Sequence, residues 1–544
     1  MKYFKSTTVA LAIAFTTMAE VVAQNKNQTL KEEIGIADNG NGTFSNPILH
    51  SDYSDPDAIR VGDDYYMTAS SFNCIPGLPI LHSKDLVNWT LVNYALPKLE
   101  PSEVFSKAQH GGGVWAPCIR YHNNEFYIFY PDPDYGIFVV KTTDPLGKWS
   151  KPMLIKEGKG LIDPTPLWDE DGKIYLTYAF AGSRAGIKSL LAVCTLEKET
   201  LQANQDDVII IDGHEGETTI EGPKFYKRNG YYYIFAPAGG VPTGWQTVLR
   251  SKNVWGPYEK RKVMDQGNTP INGPHQGAWV TTQTGEDWFL HFQDKGAYGR
   301  IVHLQPMQWK KDWPIIGEPY GKEIGKPVLT YKKPNVGKSN FPVTPLTVSD
   351  EFDKPQLGLQ WQWHANPQVY WGFPSTMGYY TLYCQPTPEN ATNLFDVPNL
   401  LLQKFPDEVF TATTKMTFNA RFDGEQTGLV ILGLDYTYLK VSQKDGKLFL
   451  SQVTCQNADK KGTETESKSK ALQSNTFYLR VNVTKGAVCT FEYSENGTNF
   501  ETFGKPFTAK EGKWIGAKIG FVALREGKIN DAGNVLIDWI KFTK

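Results

Sequence analysis

The chain has almost no net charge to offer a partner. Its 544 residues carry 56 lysines and arginines against 58 aspartates and glutamates, a formal balance of −2, so no global field draws it to nucleic acid or to an anionic membrane. Cysteine is scarce. Cys74, Cys118, Cys194, Cys384, Cys455 and Cys489 lie far apart with no CxxC pair, which matches no zinc pattern; an exported chain could form disulfides, but one of this size does not need them, and the six read as mostly buried free thiols. There is no phosphate-binding loop, no Gly-x-Ser-x-Gly nucleophile elbow and no HExxH helix. Sustained helical periodicity is missing as well. Beyond the first residues no apolar run approaches the ~20 residues of a membrane span.

What the chain does have is rings and turns. Aromatic residues make up 13%, with 15 Trp and 27 Tyr, beside 49 Gly and 34 Pro. That mixture suits many short strands, and flat rings can stack on sugar faces, although most serve as β-core filler. At the start, Lys2 and Lys5 precede the apolar run Val9 to Phe15, and Val21-Val22-Ala23 puts small residues before Gln24. Residues 1–23 therefore read as a signal peptide and 24–42 as a polar tail. Export to the periplasm or the extracellular space is the expectation.

From residue 43 to 320 one pattern repeats. Asp64-Tyr65-Tyr66-Met67, Glu125-Phe126-Tyr127-Ile128, Lys173-Ile174-Tyr175-Leu176, Tyr231-Tyr232-Tyr233-Ile234 and Asp287-Trp288-Phe289-Leu290 each follow a polar or glycine turn. They recur about every 50 to 60 residues, a spacing that points to a propeller or array. Second echoes follow at Ser83 to Trp89, Thr142 to Trp149 and Ser251 to Trp255. Five hairpins with outer echoes predict five four-stranded blades around a channel. Residues 321–347, with Pro327, Pro334, Pro342 and Pro345, read as an extended linker. Residues 348–544 contain period-2 runs such as Phe410 to Met416 and Phe477 to Val483, which predict a β-sandwich. The fold class is all-β.

Three acids share one local setting. Asp55 precedes Pro56, Asp163 precedes Pro164 and Glu221 precedes Gly222-Pro223, each just ahead of a strand hairpin. Helical continuation is forbidden there, so each acid projects from a strand edge. Singly, each has the alternative of an ordinary Asx-Pro turn. Asp57 and Asp52 equally offer to hold the turn at Asp55 by side chain to backbone bonds. Together, in a chain without other nucleophile motifs, they suggest acid–base work on a neutral substrate, as in glycoside hydrolysis.

Taken in order, the motifs resemble glycoside hydrolase family 43, which contains β-xylosidases and α-L-arabinofuranosidases. The resemblance runs through Asn46-Pro47-Ile48-Leu49, Asp55-Pro56, Arg60 to Tyr66, Ser70-Ser71-Phe72 and Leu81 to Trp89. It continues with Gly113 to Pro117, Ile162-Asp163-Pro164, Glu221-Gly222-Pro223, His275-Gln276-Gly277-Ala278 and Gly299-Arg300 followed by His303 to Pro306. It implies a five-bladed propeller with a concanavalin-like sandwich, hydrolysing glycosides with inversion. Asp55 would be the general base, Glu221 the general acid, and Asp163 the group that raises the acid's pKa and orients it. Phe72 and Trp115 match walls of the sugar pocket, with a blade-core ring as the other reading of Trp115. Arg300 matches a position that hydrogen-bonds the sugar. His275 matches a histidine near the propeller axis that in some relatives approaches a structural calcium ion. A buried, hydrogen-bonded histidine is its other reading, and a structural role fits His291 at least as well. No cofactor is implied for the chemistry. The implied partner is an oligosaccharide or polysaccharide, with terminal β-1,4-xylosyl or α-L-arabinofuranosyl residues of xylan and arabinoxylan as targets.

One departure stands out. In xylosidases of this type the sandwich lends an aromatic side chain from a Gly-Ala-aromatic-Val-Gly run, whereas here Gly516-Ala517-Lys518-Ile519-Gly520-Phe521 carries lysine. Whether Lys518 or Phe521 reaches the site stays open at this level. Rival readings are a sugar-binding propeller without turnover, an endo-acting hydrolase of the same family, and a retaining β-fructosidase, against which Glu-Gly-Pro argues. Oligomeric state is not legible.

Overall fold

The computed structural model describes residues 33–338, 341–527 and 530–544. The expected signal peptide lies outside the described residues. Among the described residues helix is confined to single turns, and the regular structure is otherwise β-strand joined by turns and loops.

Five four-stranded antiparallel units follow one another, over residues 57–96, 118–157, 161–212, 224–264 and 275–316, here blades 1 to 5. Their first strands are Asp57–Val61, Cys118–His122, Leu161–Trp168, Lys224–Arg228 and His275–Thr281. First strands of blades 1 and 2, 2 and 3, 3 and 4, and 5 and 1 touch, so they line the axis. The repeated aromatic segments are the second strands. Tyr231–Ala238, for example, is buried over most of its length, because neighbouring blades cover both of its faces. The second echoes are the turns between third and fourth strands, where Asp85 accepts the N–H groups of Val87 and Asn88 and Trp89 Nε1 donates to Leu86 O. Closure comes from Ile48 and Leu49, whose N–H groups both reach Val302 O in blade 5.

The connector is tied down by backbone bonds. Gly325–Lys326 pairs with blade 4 at Met264, and Thr330–Lys332 pairs with Thr43–Ser45. Lys333 Nζ sits 2.8 Å from Asp85 Oδ2 and also pairs with Asp38, so Asp38 in the tail is fixed to the propeller rim. The C-terminal half folds into two large sheets, one centred on Lys518–Arg525 and one on Asn534–Thr543. The strict in–out alternation of Phe410–Asn419 and Thr476–Thr484 places one face of that sheet in the core. One apolar cluster runs through both halves, from Ile75, Leu96, Leu99 and Phe105 in the propeller to Trp361, Trp363, Phe405 and Phe521 in the sandwich. Backbone bonds stitch the same seam. Ile75 and Trp363 exchange N–H···O bonds of 3.0 and 2.6 Å, and the Asn366 side chain brackets Leu99 N and O. All six cysteines are buried and free.

Candidate active site

Asp55 lies two residues before the first strand of blade 1, Asp163 inside that of blade 3, Glu221 three before that of blade 4, and His275 opens that of blade 5. All therefore sit at one end of the axis. They line one cavity of about 760 Å³ together with Phe72, Trp115 and Arg300, a size suited to a small saccharide. All seven expected site residues thus meet in one place.

The backbone that aims them is unusual. Asp55 (φ 56°), Asp163 (φ 58°) and Phe72 (φ 50°) are in the left-handed region, and Gly222 beside Glu221 has φ 59°. For residues with a Cβ this conformation costs energy and recurs where a side chain must be aimed. The pairing register also shifts between Ile162 and Thr165 and between His275 and Gly277. Bulges of this kind turn side chains out of the strand alternation, here Asp163 and Gln276.

Each acid is held differently. Asp55 Oδ2 accepts from Ser54 Oγ (2.6 Å) and Ser70 Oγ (2.5 Å), while Oδ1 faces Arg300 Nη1 at 3.5 Å. Arg300 Nη1 also donates to Ser54 Oγ at 2.9 Å. Asp163 Oδ2 accepts the Gly222 N–H at 2.7 Å and Gln276 Nε2 at 3.4 Å. The Glu221 side chain keeps 25% of its surface open to the cavity, and its Oε1 lies 3.4 Å from His275 Nε2. Burial pushes the Glu221 carboxyl up to about 8, and the charges of Asp163 and Asp55 push the same way. Burial also raises Asp163, with the Gly222 N–H opposing. Because that bond and the Gln276 amide favour the Asp163 anion, the shared proton goes first to Glu221. His275 supplies no countercharge, since burial and Arg300 drop its pKa to about 3 and leave it neutral.

Walls come from both domains. Phe72 and Trp115 meet edge to face at 6.4 Å, and Trp115 Nε1 donates to Gly111 O at 2.9 Å, which fixes the ring. Trp115 is thus a cavity wall. Neither Lys518 nor Phe521 lines the cavity. Lys518 is buried, with Nζ donating to Gln362 Oε1 and Cys74 Sγ, and Phe521 packs on Trp361. The sandwich reaches the cavity through Trp514 instead, under the Arg300 guanidinium at 5.7 Å. Gln276, Lys188 and Thr219 also line the cavity and were not singled out from the sequence. The available signal was an aromatic residue, Trp514, in the turn Gly512 to Gly516 just ahead of the Gly-Ala motif. His291 is buried in blade 5 against His303, away from the cavity.

Calcium takes about 6 to 8 oxygen ligands. Both ring nitrogens of His275 are buried without a hydrogen-bond partner, yet the described residues hold no group of three or more His, Cys, Asp or Glu side chains that could bind a metal ion. An ion beside His275 would therefore draw most of its oxygen ligands from backbone carbonyls and water.

Residues 44–314 match the sequence model for glycosyl hydrolases family 43, and residues 349–543 that for a beta-xylosidase C-terminal concanavalin A-like domain. A putative beta-xylosidase of Xylanibacter ruminicola is 37% identical over 497 residues, 89% of this chain and 87% of that one. The chain belongs to glycosyl hydrolases family 43. Within this family it is also 31% identical to the non-reducing end alpha-L-arabinofuranosidase BoGH43B of Bacteroides ovatus, over 74% of this chain and 77% of that one. The crystal structure of the GH43 BlXynB protein from Bacillus licheniformis superposes with a TM-score of 0.79 at 26% identity, covering 92% of this chain and 99% of that one. The five-bladed propeller and appended sandwich are thus family 43 architecture, and the chain is a glycosidase of the xylosidase and arabinofuranosidase group. Among the described residues no helix is long and apolar enough to cross a membrane.

Proposed function

We propose that the chain is an exported, inverting glycosidase that removes terminal β-1,4-xylosyl or α-L-arabinofuranosyl residues from xylan and arabinoxylan. The observation that carries this reading is that three carboxyls from three blades meet in one cavity while burial and neighbouring charge keep the Glu221 proton on near neutrality. Asp55 takes a proton from water as the water oxygen attacks the anomeric carbon. Glu221 donates its proton to the glycosidic oxygen as the bond to the leaving sugar breaks. Asp163, anchored by the Gly222 N–H, holds Glu221 protonated and oriented. Arg300 spans Asp55 and the cavity, where its guanidinium reaches sugar hydroxyls, and neutral His275 adds a polar edge. Phe72, Trp115 and Trp514 supply apolar walls. Two carboxyls and water complete the reaction, so it asks for no cofactor.

The xylosyl reading takes precedence because the relative matched at 37% identity over most of both chains is named a putative beta-xylosidase. Removal of terminal units is supported by Trp514, which walls the pocket where an endo-acting cleft would have to stay open to a continuing chain. Export is supported by Lys2, Lys5 and the apolar run before Val21-Val22-Ala23 and is checked by N-terminal sequencing of the periplasmic and secreted fractions. The reaction is tested by proton NMR during hydrolysis of an aryl β-xyloside. Inversion yields α-xylose as the first product. First-formed β-xylose, or no turnover on aryl xyloside and arabinofuranoside alike, overturns the reading.

A further inference from the structure

Asp52 does not line the cavity. It is buried where the propeller meets the sandwich, and its two oxygens accept backbone N–H groups from different domains. Oδ1 takes the N–H of Arg300 at 2.8 Å, and Oδ2 takes the N–H of Gly516 at 3.1 Å. Each bond leads to a cavity residue. Arg300 carries the guanidinium that faces Asp55, and Gly516 ends the short turn that presents Trp514.

The junction has no slack. A Cβ on Gly299 would lie 2.6 Å from the Asp52 Cβ, and one on Gly516 would lie 2.8 Å from Gly299 N. Close approach of the two domains therefore depends on glycine on both sides, with the Asp52 carboxylate wedged between them. The side chain is also chemically specific. Burial pushes the Asp52 carboxyl up, while Lys404 and the two N–H groups it accepts oppose that shift and favour the anion; as the anion it is all acceptor and satisfies both converging donors, whereas an asparagine would turn an NH₂ toward one of them. Arg300 has a second tether, since Tyr53 N–H donates to its carbonyl at 3.0 Å. Among the described residues the hydrogen bonds that tie the turn at Gly516 to the propeller are the one to Asp52 and the Ala517 N–H to Ala297 O bond, beside the packing of Trp514 on Arg300.

We propose that Asp52 is a positioning residue for the reaction: one propeller carboxylate fixes the Arg300 backbone and draws the sandwich turn 512–516 inward, so that Trp514 forms the outer wall of the sugar pocket. This rests on the glycosidase reading above. The sandwich then does more than cap the propeller, because a carboxylate beside the general base decides where a sandwich ring stands.

The test compares Asp52→Asn, Trp514→Ala and the double variant on an aryl β-xyloside, with hydrogen–deuterium exchange of residues 510–517. Loss of a charged hydrogen bond that places a binding wall is expected to raise KM about tenfold or more with a smaller change in kcat. Exchange of 510–517 is expected to quicken in Asp52→Asn while the blade strands stay protected. In the Trp514→Ala background Asp52→Asn is expected to add less than about twofold, since the wall it positions is gone and Arg300 keeps its second tether from the Tyr53 N–H. The proposal is overturned if KM in Asp52→Asn stays within about twofold of the parent, if the two effects multiply, or if exchange of 510–517 is unchanged. Should Asp52→Asn not fold, Asp52→Ser, which removes the buried charge and keeps one acceptor, serves in its place. A parent chain inactive on every glycoside would defeat the functional reading separately, and the exchange measurement would still decide the role of Asp52.

Discussion

Glu221 shares its surroundings with two other carboxyls, and the order in which they take up protons decides what each can do. As the proposed general acid Glu221 works with its proton on, so activity is expected below its pKa and is expected to be lost as the pH rises through it. With that group held at about 8, the alkaline limb of kcat/KM belongs near that pH. Asp163→Asn removes the adjacent negative charge, lets Glu221 ionise earlier, and should move the alkaline limb toward acid in a pH profile. An unmoved limb would detach Asp163 from the acid. Glu221→Gln removes the proton itself, and general acid catalysis is worth about 10²- to 10⁴-fold. Cleavage of xylo-oligosaccharides should fall by that order, whereas dinitrophenyl glycosides, whose leaving group departs without a proton, should lose little. Equal losses on both would make Glu221 a binding residue.

The elements that aim these groups are first strands interrupted at their inner ends. Gly222 shows how narrow the tolerance is: it sits at φ 59°, its N–H holds Asp163, and a Cβ there would stand 2.5 Å from Gln276 Cγ. A left-handed alanine costs about 1–2 kcal/mol, and an error of about 1 Å at a catalytic group can cost 10²-fold. Gly222→Ala should therefore lose about 1–2 kcal/mol in urea unfolding but about 10²-fold in kcat; kcat within a few-fold of the parent would mean the strand end can flex. Much of this was legible in sequence, because an acid followed by proline or Gly-Pro ahead of an aromatic strand is a local pattern. The repeated second strands were legible for the same reason. Phe72, Trp115, His275 and Arg300 were reached through family resemblance, since nothing in their immediate neighbours distinguishes a cavity wall from a core ring. Ser54, Ser70 and Gln276 were missed because their partners are chosen by φ values and bulges that composition does not encode.

Across the whole molecule, what stayed illegible is the seam between the halves. Trp514, Lys518 and Asp52 acquire their roles from residues far away in the chain, and no periodicity crosses a linker. The C-terminal sandwich packs directly on the propeller, because Ile75, Leu96, Leu99, Phe105 and Tyr298 of the propeller share one apolar cluster with Trp361, Trp363 and Phe405 of the sandwich. Uncovering a large apolar side chain costs about 1.5–3 kcal/mol. Five of them amount to as much as the whole margin of about 5–15 kcal/mol that holds a domain folded, even before the Ile75 to Trp363 and Leu99 to Asn366 bonds are lost. The halves should therefore melt together. Calorimetry of the full chain is expected to show one transition, and a chain ended at residue 347 should be insoluble or bind a hydrophobic dye strongly. Two resolved transitions, or a soluble truncated propeller with the parent's melting temperature, would show that the seam is an ordinary contact between two self-sufficient domains. Placing the site at that seam couples folding to function, because the sandwich wall of the pocket exists only once both halves have closed on the same core.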